Sequence, residues 1–339
     1  MTPSARYLLS FGLTCAVLTA LYAIAFVCQL GAPVAAEYWV PEMKLVKTHL
    51  AERIPGRKLV ILGGSNALFG LDSSLIERET RLATVNLALH GALPLDYMLA
   101  HASALLRPGD VVILSLEAGY YEAVNPSPSW FSSNVMAWEP EYFWHLRLAE
   151  QIGFARSASA RRVLNGVIAR LYEARLRHAH GRLVRTREAV LADAAAVWEG
   201  RRYLEGRAAY SLRSMDEHGD IRGAVGSFYT PSGGSLSVPT FTYAPQPWHT
   251  LRQFRDDCRN RGIRVFIAWP AVPAELAVPA RPYIGQIRAH VAGLGIAVLG
   301  EPGDYTMEHR YFFDTLYHLN EEGRALRTAR LLTFLKAQL

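Results

Sequence analysis

Hydrophobic and polar positions alternate in three different ways along this chain. From Tyr7 to about Leu30 nearly every position is apolar, and no charged residue stands between Arg6 and Glu37. At about 1.5 Å per residue, such a run spans a bilayer as one helix. Farther on, Leu59–Leu62, Ala83–Leu89, Val111–Leu116, Ile263–Trp269 and Ile296–Leu299 are short apolar runs. Their β-formers predict strands buried on both faces. Between them, 75–81, 95–106, 250–261, 281–294 and the stretch after Gly323 carry helical spacing, and Arg107-Pro-Gly-Asp110 stops one of these helices. Strands that alternate with helices predict an α/β fold, a parallel sheet with helices on both faces.

The alternation is interrupted between about 122 and 250. The expected organisation is therefore a cytoplasmic stub and anchor over 1–36, a linker over 37–57, and an ectodomain over 58–339 with an insertion. The insertion should be mostly helical through 140–198. It should also hold a hairpin around Glu217-His-Gly-Asp220 and a Gly/Ser/Pro loop at Pro231–Pro239. Because it leaves from the C-terminal end of a strand, it is expected to cap the ligand edge of the sheet.

Charge adds an orientation. Arg6 precedes the apolar run, and Glu37 and Glu42 follow it before the first lysine, which places the N-terminus inside and the rest outside. A cleaved signal peptide ending at Val34-Ala-Ala36 is the rival, and the length of the run favours an uncleaved anchor. The net charge of +6 comes largely from Arg156, Arg161, Arg162, Arg170, Arg175, Arg177, Arg182, Arg185 and Arg187, with His178 and His180 among them. Such a cluster is either a solvated helix face or a patch for anionic headgroups or an acidic glycan. Of the three cysteines, Cys15 and Cys28 lie in the apolar run and Cys258 stands far from both, so no disulfide framework is expected. The spacing of Cys and His suggests no zinc site, no glycine loop suggests a phosphate site, and nucleic acid is not an expected partner.

The chemistry centres on Lys58-Leu-Val-Ile-Leu-Gly-Gly-Ser-Asn-Ala-Leu-Phe-Gly70. A serine just beyond a strand's C-terminal end sits where open α/β sheets place ligands. Gly63 and Gly64 allow a sharp turn that presents Ser65 with its N–H free, which suits a nucleophile that also donates to an oxyanion. A strand-to-helix turn with Ser65 as N-cap accounts for the same residues without any chemistry.

A second stretch, Phe312-Phe-Asp-Thr-Leu-Tyr-His-Leu-Asn-Glu-Glu-Gly323, stands before the last helix. Together with the Gly-Gly-Ser-Asn block and Val85-Asn-Leu-Ala-Leu-His-Gly91, it resembles the SGNH (GDSL-like) hydrolase superfamily over roughly 58–121 and 262–339. The resemblance implies Ser65 as nucleophile, His318 as base and Asp314 as the residue that orients it. It also implies the N–H groups of Ser65 and Gly91 as an oxyanion hole. Asn66, His90, Glu117, Tyr120 and Tyr121 are candidates for the pocket, and no cofactor or metal is implied.

Two features depart from the family pattern. Asp314 and His318 are separated by three residues rather than two. Four-residue spacing puts both on one face of a helix, but not necessarily of a loop. The asparagine that the family places after the third strand is missing, and Glu117 stands near there. A charged carboxylate would repel an oxyanion, so Glu117 is expected to point away from Ser65, with Tyr120 or Tyr121 helping the hole. The other acceptable arrangement buries it as a neutral acid.

With a single anchor, the chain is similar to accessory proteins of cell-surface glycan O-acetylation and teichoic acid D-alanylation. That likeness implies a serine acyltransferase or esterase at the inner (cytoplasmic) membrane, single-pass, with its C-terminal domain periplasmic or extracytoplasmic. A polysaccharide substrate and a membrane-bound O-acyltransferase partner follow from it. The competing expectation is a non-catalytic glycan-binding or assembly subunit that keeps the fold.

Overall fold

A computed structural model describes residues 2–34, 36–172, 185–230 and 240–339. The chain divides into two compact units, residues 1–38 with 128–186, and residues 39–127 with 187–339.

The first unit is helical. Helix α1, Pro3–Cys28, is long and apolar enough to cross a membrane. In chain order α2 (Trp39–Arg53), α3 (Ser65–Gly70), α4 (Ser73–Thr80) and α5 (Leu95–Leu105) belong to the second unit. The first unit resumes with α6 (Pro128–Trp138), α7 (Glu141–His145), α8 (Leu148–Ser157) and α9 (Ala160–Leu171). Buried Ala32, Val34, Tyr38, Ala137 and Ala169 form a small core there. Arg162 is buried in this unit and donates to Gln29 Oε1 at 2.8 Å and to the Ser133 carbonyl at 3.1 Å. Burial holds its pKa below the usual arginine value.

The second unit is built on β1 (Lys58–Gly63), β2 (Ala83–Asn86), β3 (Val111–Ser115), β4 (Arg264–Ala268) and β6 (Ala297–Leu299), with a short separate pair of β5 (Val272–Pro273) and β7 (Thr306–Met307). The large sheet has the order β2-β1-β3-β4-β6, and every pairing in it is parallel. Helices flank it, including α10 (Arg187–Gly200), α11 (Pro245–Asn260), α12 (Ala274–Ala277), α13 (Arg281–Ala292) and α14 (Glu321–Leu335). The order reverses between β1 and β3, and in open α/β sheets ligands bind beyond the strand C-termini at such a reversal. At the opposite ends of these two strands, buried Lys58 donates to Asp110 Oδ2 at 2.7 Å and to the Leu105 carbonyl at 2.9 Å.

Residues 37–57, expected as a linker, carry α2, which buries Val40, Met43, Val46 and Ala51. Within the excursion over 122–250, residues 128–186 group with α1 and 187–250 with the sheet. The turn at Glu217–Asp220 is present, closed by an antiparallel bridge between Met215 and Ile221. The Pro231–Pro239 loop, along with Arg175, Arg177, His178, His180 and Arg182, lies outside the described residues.

Candidate active site

The site begins with strand register. Gly63 pairs with Ser115, so the residues two positions later, Ser65 and Glu117, emerge side by side at the sheet edge. Side chains are excluded from the approach. A Cβ on Gly63 would lie 2.0 Å from the Ser115 carbonyl oxygen, and one on Gly64 would lie 2.7 Å from the Gly91 Cα. Through the whole run 58–71, Ser65 is the one residue that is not buried. It opens α3, capped by the Gly64 backbone, and its Oγ lies 3.5 Å from where a Cβ of Gly91 would be.

Gly91 is brought in by the loop after β2. The Leu87 and Leu89 N–H groups continue the pairing, donating to the Ile61 and Gly63 carbonyls. The Tyr120 phenol, 2.8 Å from both the Gly91 and Leu93 carbonyls, and the Lys47 ammonium, donating to the Ala88 carbonyl at 2.5 Å, hold the loop from two sides. Lys47 is fully buried, and desolvation lowers its pKa while the charges of Asp220 and Asp216 oppose that. Tyr120 therefore positions the loop instead of donating to an oxyanion. Tyr121 is buried and stacked on Trp248, ring centroids 5.4 Å apart. The pKa values of both phenols are raised, by burial first and then by the charge of Glu117.

The base arrives from a loop, not a helix. The Phe313 N–H donates to the His318 carbonyl, and Phe312 bridges Leu319, so 313–318 closes as a tight turn. Thr315 Oγ1 accepts from the N–H groups of Tyr317 and His318 at 3.2 Å each. That closure brings Asp314 Oδ1 within 2.8 Å of His318 Nδ1 despite the longer spacing. The Tyr210 hydroxyl donates to Asp314 Oδ2 at 2.6 Å and lies 2.8 Å from His318 Nδ1. Burial pushes the Asp314 carboxyl up, but hydrogen bonds from His318 and Tyr210 outweigh it and hold its pKa below the ordinary aspartate value. With Nδ1 engaged, Nε2 is the ring nitrogen left to exchange a proton. The imidazole stacks on Phe69, centroids 4.4 Å apart and planes 16° from parallel. Phe69 stands one helical turn after Ser65, so ring and hydroxyl share a face of α3.

Glu117 is placed differently from expectation. Its carboxylate turns toward the site: Oε1 accepts the Asn66 N–H at 2.9 Å, while Oε2 is buried with no hydrogen-bond partner. Both oxygens crowd Gly64, 2.5 Å from where its Cβ would be. Asn66 does not line the pocket. Fully buried, it donates to the Ser115 carbonyl and accepts from the Ser115 hydroxyl. His90 Nδ1 accepts the Ala92 N–H at 3.0 Å, and its ring faces Trp39 at 5.9 Å.

Three participants were missed. Tyr210 carries no local sequence signal. Phe69 stands in its run as one apolar residue among several, with nothing local that points to an imidazole. Arg327 left a trace: it falls on the core stripe of α14 with Leu331 and Leu335, where a charge needs a partner. Its guanidinium donates to the Asn66 carbonyl, Asn66 Oδ1, Ser115 Oγ and the Trp269 carbonyl, at 2.7–3.2 Å. Burial lowers its pKa to about 10. Among the described residues, no three His, Cys, Asp or Glu side chains gather as a metal site.

Removing the Tyr210 hydroxyl tests its part in holding His318. If the cluster acts as a catalytic base, Tyr210→Phe should lower turnover about 10-fold, the value of one hydrogen bond to a charged group, with KM little changed. A shift in KM with turnover intact would assign Tyr210 to substrate contact instead.

The second unit is thus an open parallel α/β fold with a serine and a glycine loop at one sheet edge and a His–Asp–Tyr cluster stacked on the helix that the serine opens. Comparison with protein-family models and with curated proteins gives no match.

Proposed function

We propose that this chain is a membrane-anchored acyltransferase or esterase of SGNH type that acts on hydroxyl groups of an envelope polysaccharide. The observation that supports it most is half-buried Ser65 beside Gly91 at the sheet edge, with the Asp314–Tyr210–His318 cluster stacked on Phe69 of the helix that Ser65 opens. In the reaction, Ser65 Oγ attacks an ester carbonyl while His318 Nε2 takes the hydroxyl proton. The N–H groups of Ser65 and Gly91 receive the oxyanion. Collapse expels the alcohol, which takes the proton back from His318, and leaves an acyl ester on Ser65. A sugar hydroxyl or water then attacks that ester with the same base. A sugar hydroxyl completes acyl transfer and water completes hydrolysis. Helix α1 would hold the enzyme at the inner membrane with the site on the periplasmic side, next to a membrane-bound O-acyltransferase that supplies the acyl group.

One observation favours a second reading, a non-catalytic glycan-binding or assembly subunit. The Glu117 carboxylate stands against Gly64 and Gly91, where an oxyanion would develop. Treating the full chain in detergent with a fluorophosphonate separates the two. The enzyme reading expects a covalent adduct on Ser65 and hydrolysis of nitrophenyl acetate, and the absence of both supports the subunit.

Glu117→Gln follows from the same geometry. A glutamine carbonyl keeps the Asn66 N–H bond, and its amide N–H₂ replaces the unpartnered oxygen with a donor. The rate should equal or exceed that of the unchanged protein. A loss as deep as that of Ser65→Ala would give the carboxylate a direct part in the chemistry.

A further inference from the structure

The helical unit carries an apolar surface beyond α1 itself. On α7 and α8, Trp144, Leu148 and Ile152 follow one another at four-residue spacing, and all are exposed, Leu148 at 74%. On α9, Leu164, Ile168 and Leu171 recur at four and three residues and are exposed as well, Leu171 at 75%. Four-residue spacing puts Leu148 and Ile152 on one face of α8, and four- and three-residue spacing puts Leu164, Ile168 and Leu171 on one face of α9, while Trp144 is exposed on the separate helix α7. The opposite face of α9, with Arg162, Val163, Gly166 and Ala169, is the buried one. These helices therefore bury one face in the unit and leave an apolar face uncovered. Large contiguous apolar patches on a protein mark an interaction surface.

What covers that surface follows from its neighbour. The Tyr22 hydroxyl of α1 donates to the Ala155 carbonyl of α8 at 3.0 Å. The Phe26 ring of α1 lies 5.1 Å from Phe143 of α7 and 6.3 Å from Phe154 of α8. Gln29, just past α1, bonds Arg162 of α9, and the Arg170 guanidinium of α9 donates to the Cys28 and Leu30 carbonyls. Helices α7 and α8 thus pack against the last two turns of α1, and α9 against its C-terminal end. With Arg6 at one headgroup layer, a hydrocarbon core of about 30 Å takes up about 20 residues of helix and ends near Phe26. Tyr22 then lies about 6 Å inside that boundary, and α8 lies beside it. The lipid around the last turns of α1 meets the uncovered faces of α7, α8 and α9 as well. Exposed Arg156 and Arg161 flank the corner between α8 and α9, where they can meet lipid phosphates.

We propose that α7, α8 and α9 form an interfacial platform seated in the leaflet that surrounds the C-terminal end of α1, with Trp144, Leu148, Ile152, Leu164, Ile168 and Leu171 facing the lipid. The protein is then held by a span and a second, lateral contact. The proposal rests on α1 crossing the bilayer and not on the chemistry assigned to Ser65.

The test uses the full chain with Cys15→Ser and Cys28→Ser, one copy per lipid nanodisc, and bimane attached in turn to Leu148→Cys, Ile152→Cys, Leu164→Cys or Leu171→Cys. Leu13→Cys on α1 reports the span. Nitroxide-bearing phospholipid should quench the four platform labels as it quenches the Leu13→Cys label, and aqueous iodide should leave them bright. Quenching by iodide but not by the lipid nitroxide at the four positions, with the Leu13→Cys label still lipid-quenched, overturns the platform and leaves the anchor standing. Labels shielded from both quenchers overturn it too, because the face is then folded against protein. If iodide also quenches the Leu13→Cys label, the span itself fails and the platform with it.

Discussion

Under the proposed acyl-transfer mechanism, Ser65→Ala should reduce acyl-ester turnover by about 10⁴-fold, and His318→Gln by a similar factor, in an assay of the full chain on nitrophenyl acetate. The size follows from what each group does. Without Ser65 Oγ no acyl-enzyme forms. Without the imidazole no base takes the hydroxyl proton, and a neutral serine is a poor nucleophile. Neither change should disturb the fold. Ser65 is half-buried at the mouth of a turn set by Gly63 and Gly64, and both glycines remain. Glutamine at 318 keeps a planar polar group against Phe69 and in reach of Asp314. The far-UV spectrum and melting temperature of both variants should therefore match the unchanged protein. Full activity in either variant would remove that residue from the mechanism.

Arg327→Met should destabilise the sheet unit by about 3–5 kcal/mol, because it leaves several buried acceptors without a donor at about 1–3 kcal/mol each. The guanidinium reaches four acceptors from three segments: Asn66 after β1, Ser115 at the end of β3 and Trp269 after β4. A methionine fills the volume but satisfies none of these acceptors, and buried Glu117 loses its nearby positive charge. Gly70→Ala approaches the same point from the other side, because its Cβ would lie 2.3 Å from Arg327 Nη1. Thermal unfolding of both variants should begin at lower temperature, with the Arg327→Met shift the larger. An unchanged melting temperature for Arg327→Met would mean that the guanidinium network contributes nothing net.

Much of the architecture was legible in the chain because burial writes itself into local spacing. Leu59–Leu62 and Val111–Leu116 read as strands since both faces of those segments are covered, and they fall within β1 and β3 or one residue beyond. The helix of 281–294 and the apolar run after Arg6 were equally plain, as α13 and α1. The serine's place after a strand was visible for the same reason: a strand, two glycines and a helix start occupy consecutive positions.

What the tertiary structure decided lies between segments distant in sequence. The spacing of Asp314 and His318 left their contact open, and the Phe313-to-His318 closure of the loop settled it. Glu117 was expected to point away; the pairing of Gly63 with Ser115 turns it toward Ser65, because parallel register carries both strand ends to one point. Tyr210 reaches His318 from 108 residues away, and Arg327 reaches Asn66 from 261. No local pattern encodes such meetings. The periodicity of apolar side chains reports which face of an element is buried, and only the return path of the chain sets which polar groups meet at its end.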